Sequence, residues 1–317
     1  MHNSKKALII GTRVAVSQYE SGASIRLNYL RTLVATAGFE ATTVHKKNCK
    51  AELRKNWDLI VLISFSTANL LRKSRRRTKN LWFDPTDSWT LTRISLFHAG
   101  ELKQIMLLVR DFFWIRIAPK IDLVTFITSR DLEKEKKWAN RSNSVAVIPI
   151  AGLTREVNST SEIRLVFVGD GQYAPNIQAL RFLKEVLDKL PTSYLIHVYG
   201  GNYQLTNSRF VFHGYTNQRN IYRSNDIHLA PVKFGAGLKL KVAVPLWNGI
   251  QVISTPEGAI GFNNVENLHI ASTPKKFSEK IELLHNHYLQ QKLILKPNPN
   301  IFCDNDIRGV ESWIASI

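Results

Sequence analysis

The sequence is short of the residues that hold small secreted domains together. Only two cysteines, Cys49 and Cys303, occur among 317 residues, and no Cys or His spacing suits zinc. These counts exclude a disulfide framework and lead us to expect a reducing compartment. Hydrophobic residues make up 44% and charged residues 21% of the chain, which is typical of a globular core held by apolar packing.

Long apolar runs are also absent. The longest, residues 105–118, is interrupted by three charged side chains, so no segment reaches the ~20 apolar residues that a membrane span needs. The basic residues 1–6 precede an apolar run at residues 7–10 that is too short for the core of a signal peptide. We interpret this run as the first β-strand and expect a cytoplasmic protein that is not integral to a membrane.

Acidic residues are scarce in the first half of the chain. Residues 1–150 hold 26 basic and 12 acidic side chains, a net charge of +14, whereas residues 151–317 hold 17 and 13, a net charge of +4. Basic clusters lie at residues 46–55 and 72–79. Such a surface attracts anionic lipid headgroups, nucleic acid or a polyanionic substrate, and charge alone leaves these partners open. Solvated loops of a basic protein are the alternative.

Apolar runs of strand length alternate with amphipathic segments of helix length along both halves. Two of these segments, residues 175–190 and 277–289, carry an apolar stripe at helical spacing. The alternation predicts parallel sheets covered by helices, and the chain length predicts two such α/β domains. The predicted strands are residues 7–10, 59–63, 81–83, 123–127 and 145–148, then 165–168, 194–199, 210–212, 227–231 and 251–254.

A stretch rich in Ser, Thr, Asn and Glu separates the two halves. We predict an N-terminal Rossmann-like domain over residues 1–153, a linker over residues 154–162 and a C-terminal Rossmann-like domain over residues 163–300. Residues 301–317 are predicted to form a C-terminal helix that packs back on the N-terminal domain.

Glycine motifs follow one another through the second half in a set order. They are FVG at 167–169, YAPN at 173–176, HVYGG at 197–201, FHGY at 212–215, LAPVKFGAGLKLKV at 229–242, WNGIQVIST at 247–255 and GAIGF at 258–262. Looser motifs in the first half are SGASIR at 21–26, GFEA at 38–41 and WFDPTDS at 82–88. In this order they resemble glycosyltransferase family 4, most closely its nucleotide-sugar-binding domain.

The resemblance implies the GT-B fold, an α/β fold with two Rossmann-like domains whose parallel sheets face each other across a cleft. It implies a retaining glycosyltransferase that moves a sugar from a nucleotide diphosphate sugar to a saccharide or lipid-linked acceptor. The donor is expected in the second domain and the acceptor in the first. With the basic first half, it favours surface-polysaccharide or glycolipid assembly at the inner face of the cell membrane.

The loop from Gly235 to Lys241 can meet the pyrophosphate of such a donor. Gly235 and Gly237 let backbone N–H groups approach phosphate oxygens, and Lys233, Lys239 and Lys241 supply positive charge where the leaving group gains negative charge. A glycine turn with solvated lysines is the alternative. No cofactor and no metal are expected, because lysines and helix dipoles take the part of the cation. The resemblance adds to the donor site Gly169, Asn176, Gly214 and Tyr215.

Candidate residues in the first half belong to the acceptor side. Asp84 and Asp87 are the predicted catalytic side chains, which would orient hydroxyl groups from the end of a strand. Helix capping is the alternative role for either aspartate. Ser21, Gly22 and Arg26 are predicted to form an anion-accepting turn at the mouth of the cleft, with a plain helix cap as the alternative. His98 lies in a segment where relatives contact sugar, but we expect it to be structural or on the surface.

One departure from the family concerns the donor's ribose. Many family 4 enzymes have two glutamates separated by seven residues, and here Ala236 and Val244 stand in their places. The ribose must then be held by another group, or the donor differs, or activity has been lost. Glu257 is the nearest candidate replacement, with a solvent-facing turn residue as its alternative.

Two other functions compete with transfer. A non-catalytic nucleotide-sugar or glycan-binding protein would keep the fold after losing the glutamates. A nucleic-acid-binding protein is disfavoured, because the chain lacks basic residues interleaved with aromatics and any recognition motif. Its basic clusters also lie away from the ordered glycine motifs.

Overall fold

The structure is a computed structural model that describes residues 4–12, 22–98, 100–151, 153–201, 203, 207–216, 220–290 and 297–317. The chain forms two compact units. The first comprises Met1–Gly152 together with Asp304–Ile317, and the second comprises Leu153–Cys303. Within the described ranges, no helix is long and apolar enough to cross a membrane.

The first unit is built on a six-stranded parallel sheet in the order β2-β1-β3-β4-β5-β6. Its strands are β1 (Lys6–Gly11), β2 (Glu40–His45), β3 (Leu59–Ile63), β4 (Asn80–Thr86), β5 (Ile121–Phe126) and β6 (Ser142–Val147). The helices are α1 (Gly22–Thr36), α2 (Leu71–Arg75), α3 (Trp89–His98), α4 (Lys103–Ile117), α5 (Ser129–Lys134), α6 (Lys136–Ala139) and α10 (Ile307–Ala315).

Both faces of this sheet are covered. Along β1, Ala7 and Ile9 pack into one buried cluster, while Leu8 and Ile10 pack into a second. Strands that are buried on both faces carry continuous rather than alternating apolar residues. The sequence therefore predicts these apolar runs as strands. Helix α10 closes the first cluster, where Val310 is fully buried.

The second unit has its own six-stranded parallel sheet, in the order β12-β11-β10-β7-β8-β9. Its strands are β7 (Arg164–Val168), β8 (Ile196–Tyr199), β9 (Phe210–Gly214), β10 (Asp226–Ala230), β11 (Gln251–Ser254) and β12 (Leu268–Ile270). The helices are α7 (Ala174–Leu187), α8 (Leu240–Trp247) and α9 (Pro274–Leu289). Two parallel six-stranded α/β sheets agree with the fold class expected from the sequence.

Strand order reverses between β7 and β10. The chain runs outward from β7 through β8 to β9 and then returns to lay β10 on the other side of β7. A buried ion pair pins these two strands at their amino ends, because both carboxylate oxygens of Asp226 accept from Arg164 at 2.8 Å. Ligands of open parallel sheets bind outside the carboxyl ends of the strands at such a reversal.

The polar stretch predicted as a linker, residues 154–162, runs along the second unit. Asn158 forms an isolated parallel bridge with Arg223, and its carbonyl accepts from the Ser224 N–H at 2.9 Å. Backbone pairing therefore holds this segment in place.

Candidate functional site

The strand reversal in the second sheet places two helix N-termini close together. Helix α7 follows β7, and helix α8 follows β10. The residues before these helices, Tyr173 and Lys239, make no side-chain capping hydrogen bond to them. The positive end of each helix is thus available to an anion at the carboxyl edge of the sheet.

Lys241, in the first turn of α8, joins the two helices. Its Nζ donates to Oδ1 of Asn176 in the first turn of α7 and lies 4.5 Å from the centre of the Phe167 ring. The Lys241 side chain is only partly exposed. Desolvation, with repulsion from Lys239, lowers the pKa of Lys241 to about 7. A negative charge close to this ammonium group would therefore stabilise it.

The glycine loop between β10 and α8 bends back on itself. Gly235 and Gly237 have φ values of +130° and +65°, which residues with a Cβ rarely adopt. The Nζ of Lys239 donates to the carbonyls of Ala236 at 2.7 Å and Gly237 at 3.0 Å. Lys239 therefore fastens the loop. Lys233 is exposed, and its Nζ lies 5.4 Å from the centre of the Phe182 ring.

A layer of glycines lines the carboxyl ends of β7 and β8. A Cβ at Gly169 would lie 2.7 Å from the amide of Asn176, and one at Gly200 would lie 1.5 Å from the Gly169 carbonyl oxygen. A Cβ at Gly201 would lie 2.1 Å from the ring of Tyr215. Close backbone approach therefore requires glycine at position 200, whereas a Cβ at position 169 or 201 would displace the side chain of Asn176 or Tyr215.

Gly214 ends β9, and Tyr215 follows it on the same edge. Gly214 has a φ of +65°, and Tyr215 donates its hydroxyl to Oδ2 of Asp170 at 3.2 Å. Asn176 donates to the Asp170 carbonyl at 2.8 Å. The donor-side residues predicted on β7, α7 and β9 thus lie along one edge.

Glu257 lies in a turn after β11 and is partly exposed. The turn is tied to the end of β10, because Thr255 Oγ1 donates to the Val232 carbonyl and accepts from the Gly258 N–H. Glu257 therefore belongs to the same carboxyl edge as the glycine loop. Of the two positions where family 4 has glutamates, Ala236 is partly exposed and Val244 is buried within α8.

In the first unit, Asp84 and Arg26 form a fully buried ion pair. The Arg26 Nη2 to Asp84 Oδ2 distance is 2.6 Å, and both side chains have 0% exposure. Thr125 Oγ1 also donates to Asp84, and Arg26 Nη1 donates to the carbonyls of Ile148 and Pro149. A side chain without exposed surface cannot touch a substrate in this conformation. The structure thus favours a core role for both, against a catalytic Asp84 and an acceptor-binding Arg26.

The remaining first-unit candidates do not take part in this ion pair. Asp87 is partly exposed just after β4, next to Thr86, whose φ of +79° is unusual for a β-branched residue. Gly22 opens α1, and His98 is exposed at the end of α3. Ser21 lies outside the described residues.

Two residues of the donor-side edge were not predicted from the sequence. Phe167 supplies the ring beneath the Lys241 ammonium group, and Asp170 holds Asn176 and Tyr215. The position of Asp170 directly after the FVG motif was the signal available. In the described part of the chain, no group of three His, Cys, Asp or Glu side chains is placed to hold a metal ion.

The two six-stranded parallel α/β sheets match solved structures that have the GT-B fold. The α,α-trehalose 6-phosphate synthase from Burkholderia multivorans aligns over 99% of this chain and 93% of its own, with a TM-score of 0.55 and 9% identity. The T4 phage BGT in complex with UDP and Mn²⁺ aligns over 98% and 97%, with a TM-score of 0.55 and 11% identity.

A third similar structure, TarM, has a TM-score of 0.51 and 12% identity. The alignment covers 74% of this chain but only 49% of TarM, so the chain spans about half the length of that protein. No protein-family model and no curated protein sequence matches the chain. At these identities the likeness shows the fold, and membership of family 4 stays a prediction.

Proposed function

We propose that this protein is a glycosyltransferase that binds a nucleotide diphosphate sugar on its second unit. The observation that carries the proposal is the Lys241 ammonium group, held between the first turns of α7 and α8. A diphosphate at this position would meet two helix N-termini, glycine-freed backbone N–H groups and one partly buried cation. The residues proposed for the donor site are Gly169, Asn176, Gly214, Tyr215, Lys233, Gly235, Gly237, Lys239, Lys241 and Glu257.

The chemistry follows from the leaving group. As the bond between sugar and phosphate oxygen breaks, negative charge collects on the diphosphate, and Lys241 stabilises it more in the transition state than in the ground state. We propose a retaining course, with a saccharide or lipid-linked acceptor bound by the first unit. Asp87 and Gly22 remain its candidate contacts. We also propose that transfer needs no metal, so a chelator should leave turnover unchanged.

Glu257 is proposed to accept hydrogen bonds from the donor's ribose, in place of the glutamate that Val244 replaces. The test compares a nucleoside diphosphate with its 2′,3′-dideoxy analogue. The protein should bind the analogue about tenfold more weakly, since hydrogen bonds to a charged acceptor are lost. Glu257→Gln should bind both ligands with nearly equal affinity. If the unaltered protein and Glu257→Gln prefer the nucleoside diphosphate over its analogue to the same extent, Glu257 does not bind the ribose.

The proposed function is tested by ligand binding followed by turnover. Nucleoside diphosphates with different bases are screened for thermal stabilisation, and the best binder's sugar conjugates are assayed for nucleotide release with saccharide and lipid-linked acceptors. Lys241→Ala should reduce the stabilisation, and Lys239→Ala should do so less directly, by loosening the loop. Unchanged affinity in both variants would refute the loop assignment.

A second candidate function is a binding protein without catalysis. The observation that favours it is the pair Ala236 and Val244, which removes both carboxylates of the family pattern. Stabilisation by nucleotide sugars without turnover under any acceptor would favour this candidate.

The proposed cellular setting of the acceptor is inferred from the net charge of the first half of the chain. The net charge of +14 on residues 1–150 supports an anionic membrane surface as a partner and, with a lipid-linked acceptor, surface-polysaccharide or glycolipid assembly at the inner face of the membrane.

A further inference from the structure

Helix α4 in the first unit carries its apolar side chains outward. Seven of the 16 exposed large apolar side chains in the described part of the chain lie between residues 102 and 117. At 100° per residue they share one face of the helix, and the exposed fractions reach 73–76% at Leu102 and Met106. They are Leu102, Ile105, Met106, Val109, Phe112, Phe113 and Ile117.

The opposite face of α4 is held by polar groups and by Ile115, which packs against a buried apolar cluster. Its two buried residues are Gln104 and Asp111, and Arg93 of α3 donates to both side chains. The Arg93 guanidinium also lies 4.7 Å from the centre of the Trp89 ring. The two buried polar side chains on the inward face of α4 therefore have hydrogen-bond partners. Rotating the helix to bury the apolar face would break a buried ion pair, so the outward apolar face is part of the fold.

Cations border this apolar face. Arg116 and Lys137 lie 5.4 Å and 5.0 Å from the centre of the Phe112 ring, and Arg110 is exposed on one flank. The two acidic side chains of the segment are already paired, Asp111 with Arg93 and Arg110, and Glu101 with Lys103 at 3.2 Å. An apolar face bordered by cations fits the membrane interface, where hydrocarbon lies below a layer of negative charge.

The basic surface continues from this flank toward the clusters noted in the sequence. Burial lowers the pKa of Lys46, and repulsion from Arg110 lowers it further, which places these two cations within electrostatic reach. Lys46 and Lys73 both act on the Cys49 thiol, whose pKa burial raises. A second copy of this chain would bring the same cations together and be repelled, so charge favours an anionic partner.

We propose that α4 is an interfacial anchor, which lies in the plane of an anionic bilayer with Met106, Val109 and Phe113 in the acyl boundary and Arg110, Arg116 and Lys137 at the phosphate level. The anchor is independent of whether the second unit transfers sugar. The anchor adds an apolar contact to the electrostatic attraction proposed above between the basic first unit and an anionic membrane.

The test is co-sedimentation of the full chain with vesicles of phosphatidylcholine alone or with about 30% phosphatidylglycerol, a composition that sets a negative surface potential. The protein should bind the anionic vesicles. The double variant Met106→Ser, Phe113→Ser should bind at least about tenfold more weakly, since two apolar side chains no longer leave water. The control Leu283→Ser, Leu289→Ser removes two exposed apolar groups from α9 and should bind like the unaltered chain.

A second measurement needs no variant. Hydrogen exchange of the unaltered chain with and without anionic vesicles should show added protection concentrated in residues 102–117. Equal binding by both double variants, or protection confined to residues 72–79, would overturn the anchor and leave a purely electrostatic contact. A concentration-dependent dimer without vesicle binding, lost in the α4 variant, would instead assign the face to a second copy.

Discussion

The ammonium group of Lys241 and the side-chain amide of Asn176 meet across 65 residues of sequence, at the point where the first turns of α7 and α8 approach each other. A neutral amide compensates a cation only in part, so desolvation and repulsion from Lys239 lower the pKa of Lys241 to about 7. This contact underlies the account of the donor site, because it locates a cation that an anionic ligand would complete.

Binding of a nucleoside diphosphate should be coupled to proton uptake near neutral pH. The ligand's negative charge raises the pKa of Lys241 above about 7, so between pH 7 and that raised value the complex holds more protons than its separated parts. Affinity should fall as the pH rises through this window. Calorimetry in buffers of different ionisation enthalpy measures the uptake. Lys241→Met should abolish it, whereas Lys233→Met, at an exposed position, should retain it.

Lys241→Met should stabilise the unliganded protein at pH 7. The folded-state pKa of Lys241 is about 7, below its ordinary value of 10.5, so the fold penalises the charged form. That penalty is complete below pH 7 and disappears as the pH rises to the unfolded-state pKa. After allowing for the lost contact to Asn176, the gain at pH 7 should be about 1–2 kcal/mol. Each kcal/mol should raise the Tm by about 2–4 °C.

The pH dependence supplies the control for that prediction. The stability of the unaltered chain should rise between pH 7 and 10.5, and that of Lys241→Met should lack this slope. Parallel pH profiles for the two proteins would show that the Lys241 ammonium group is solvated in the folded state.

Gly200→Ala should damage the second unit severely. The new Cβ would lie 1.5 Å from the carbonyl oxygen of Gly169, and the φ of +116° is itself unfavourable for alanine. We expect a loss of at least about 3 kcal/mol in the free energy of unfolding, measured by urea titration. Gly309→Ala in α10 is the matched control. Its Cβ meets nothing within 4 Å, so alanine should stabilise this helix by about 0.5–1 kcal/mol.

Asp84→Asn should lower the stability of the protein, whereas Asp87→Asn should affect turnover and leave stability nearly unchanged. Removing the Asp84 charge leaves Arg26 buried without its partner, at a cost of about 3–5 kcal/mol in unfolding free energy. Asp87→Asn should change stability by less than about 0.5 kcal/mol, because asparagine also caps helices. If Asp87 orients the acceptor, its variant should lose at least about tenfold in turnover. A stable Asp84→Asn protein would contradict the buried pair.

The main features of both sheets were predictable from the sequence. Central strands such as β3 and β10 are buried on both faces and read as unbroken apolar runs. Two edge strands were not predicted: β2 is half-buried with two threonines, and β12 has only three residues. Their residues face solvent on one side, so apolar content alone does not mark them.

The site was less predictable than the fold. Glycine spacing located the donor-side loop, because positive φ and close backbone approach leave few alternatives to glycine. The pairing of Arg26 with Asp84 spans 58 residues and depends on which faces of α1 and β4 turn inward. Sequence patterns do not carry that orientation, so the burial of both side chains could not be predicted.

The most direct test of the central claim is a crystal structure of the protein with a nucleoside diphosphate. The account predicts phosphate oxygens within hydrogen-bonding distance of Lys241 Nζ and of backbone N–H groups between residues 235 and 241. Well-defined ligand density away from the first turns of α7 and α8, with Lys241 still bound to Asn176 alone, would contradict it.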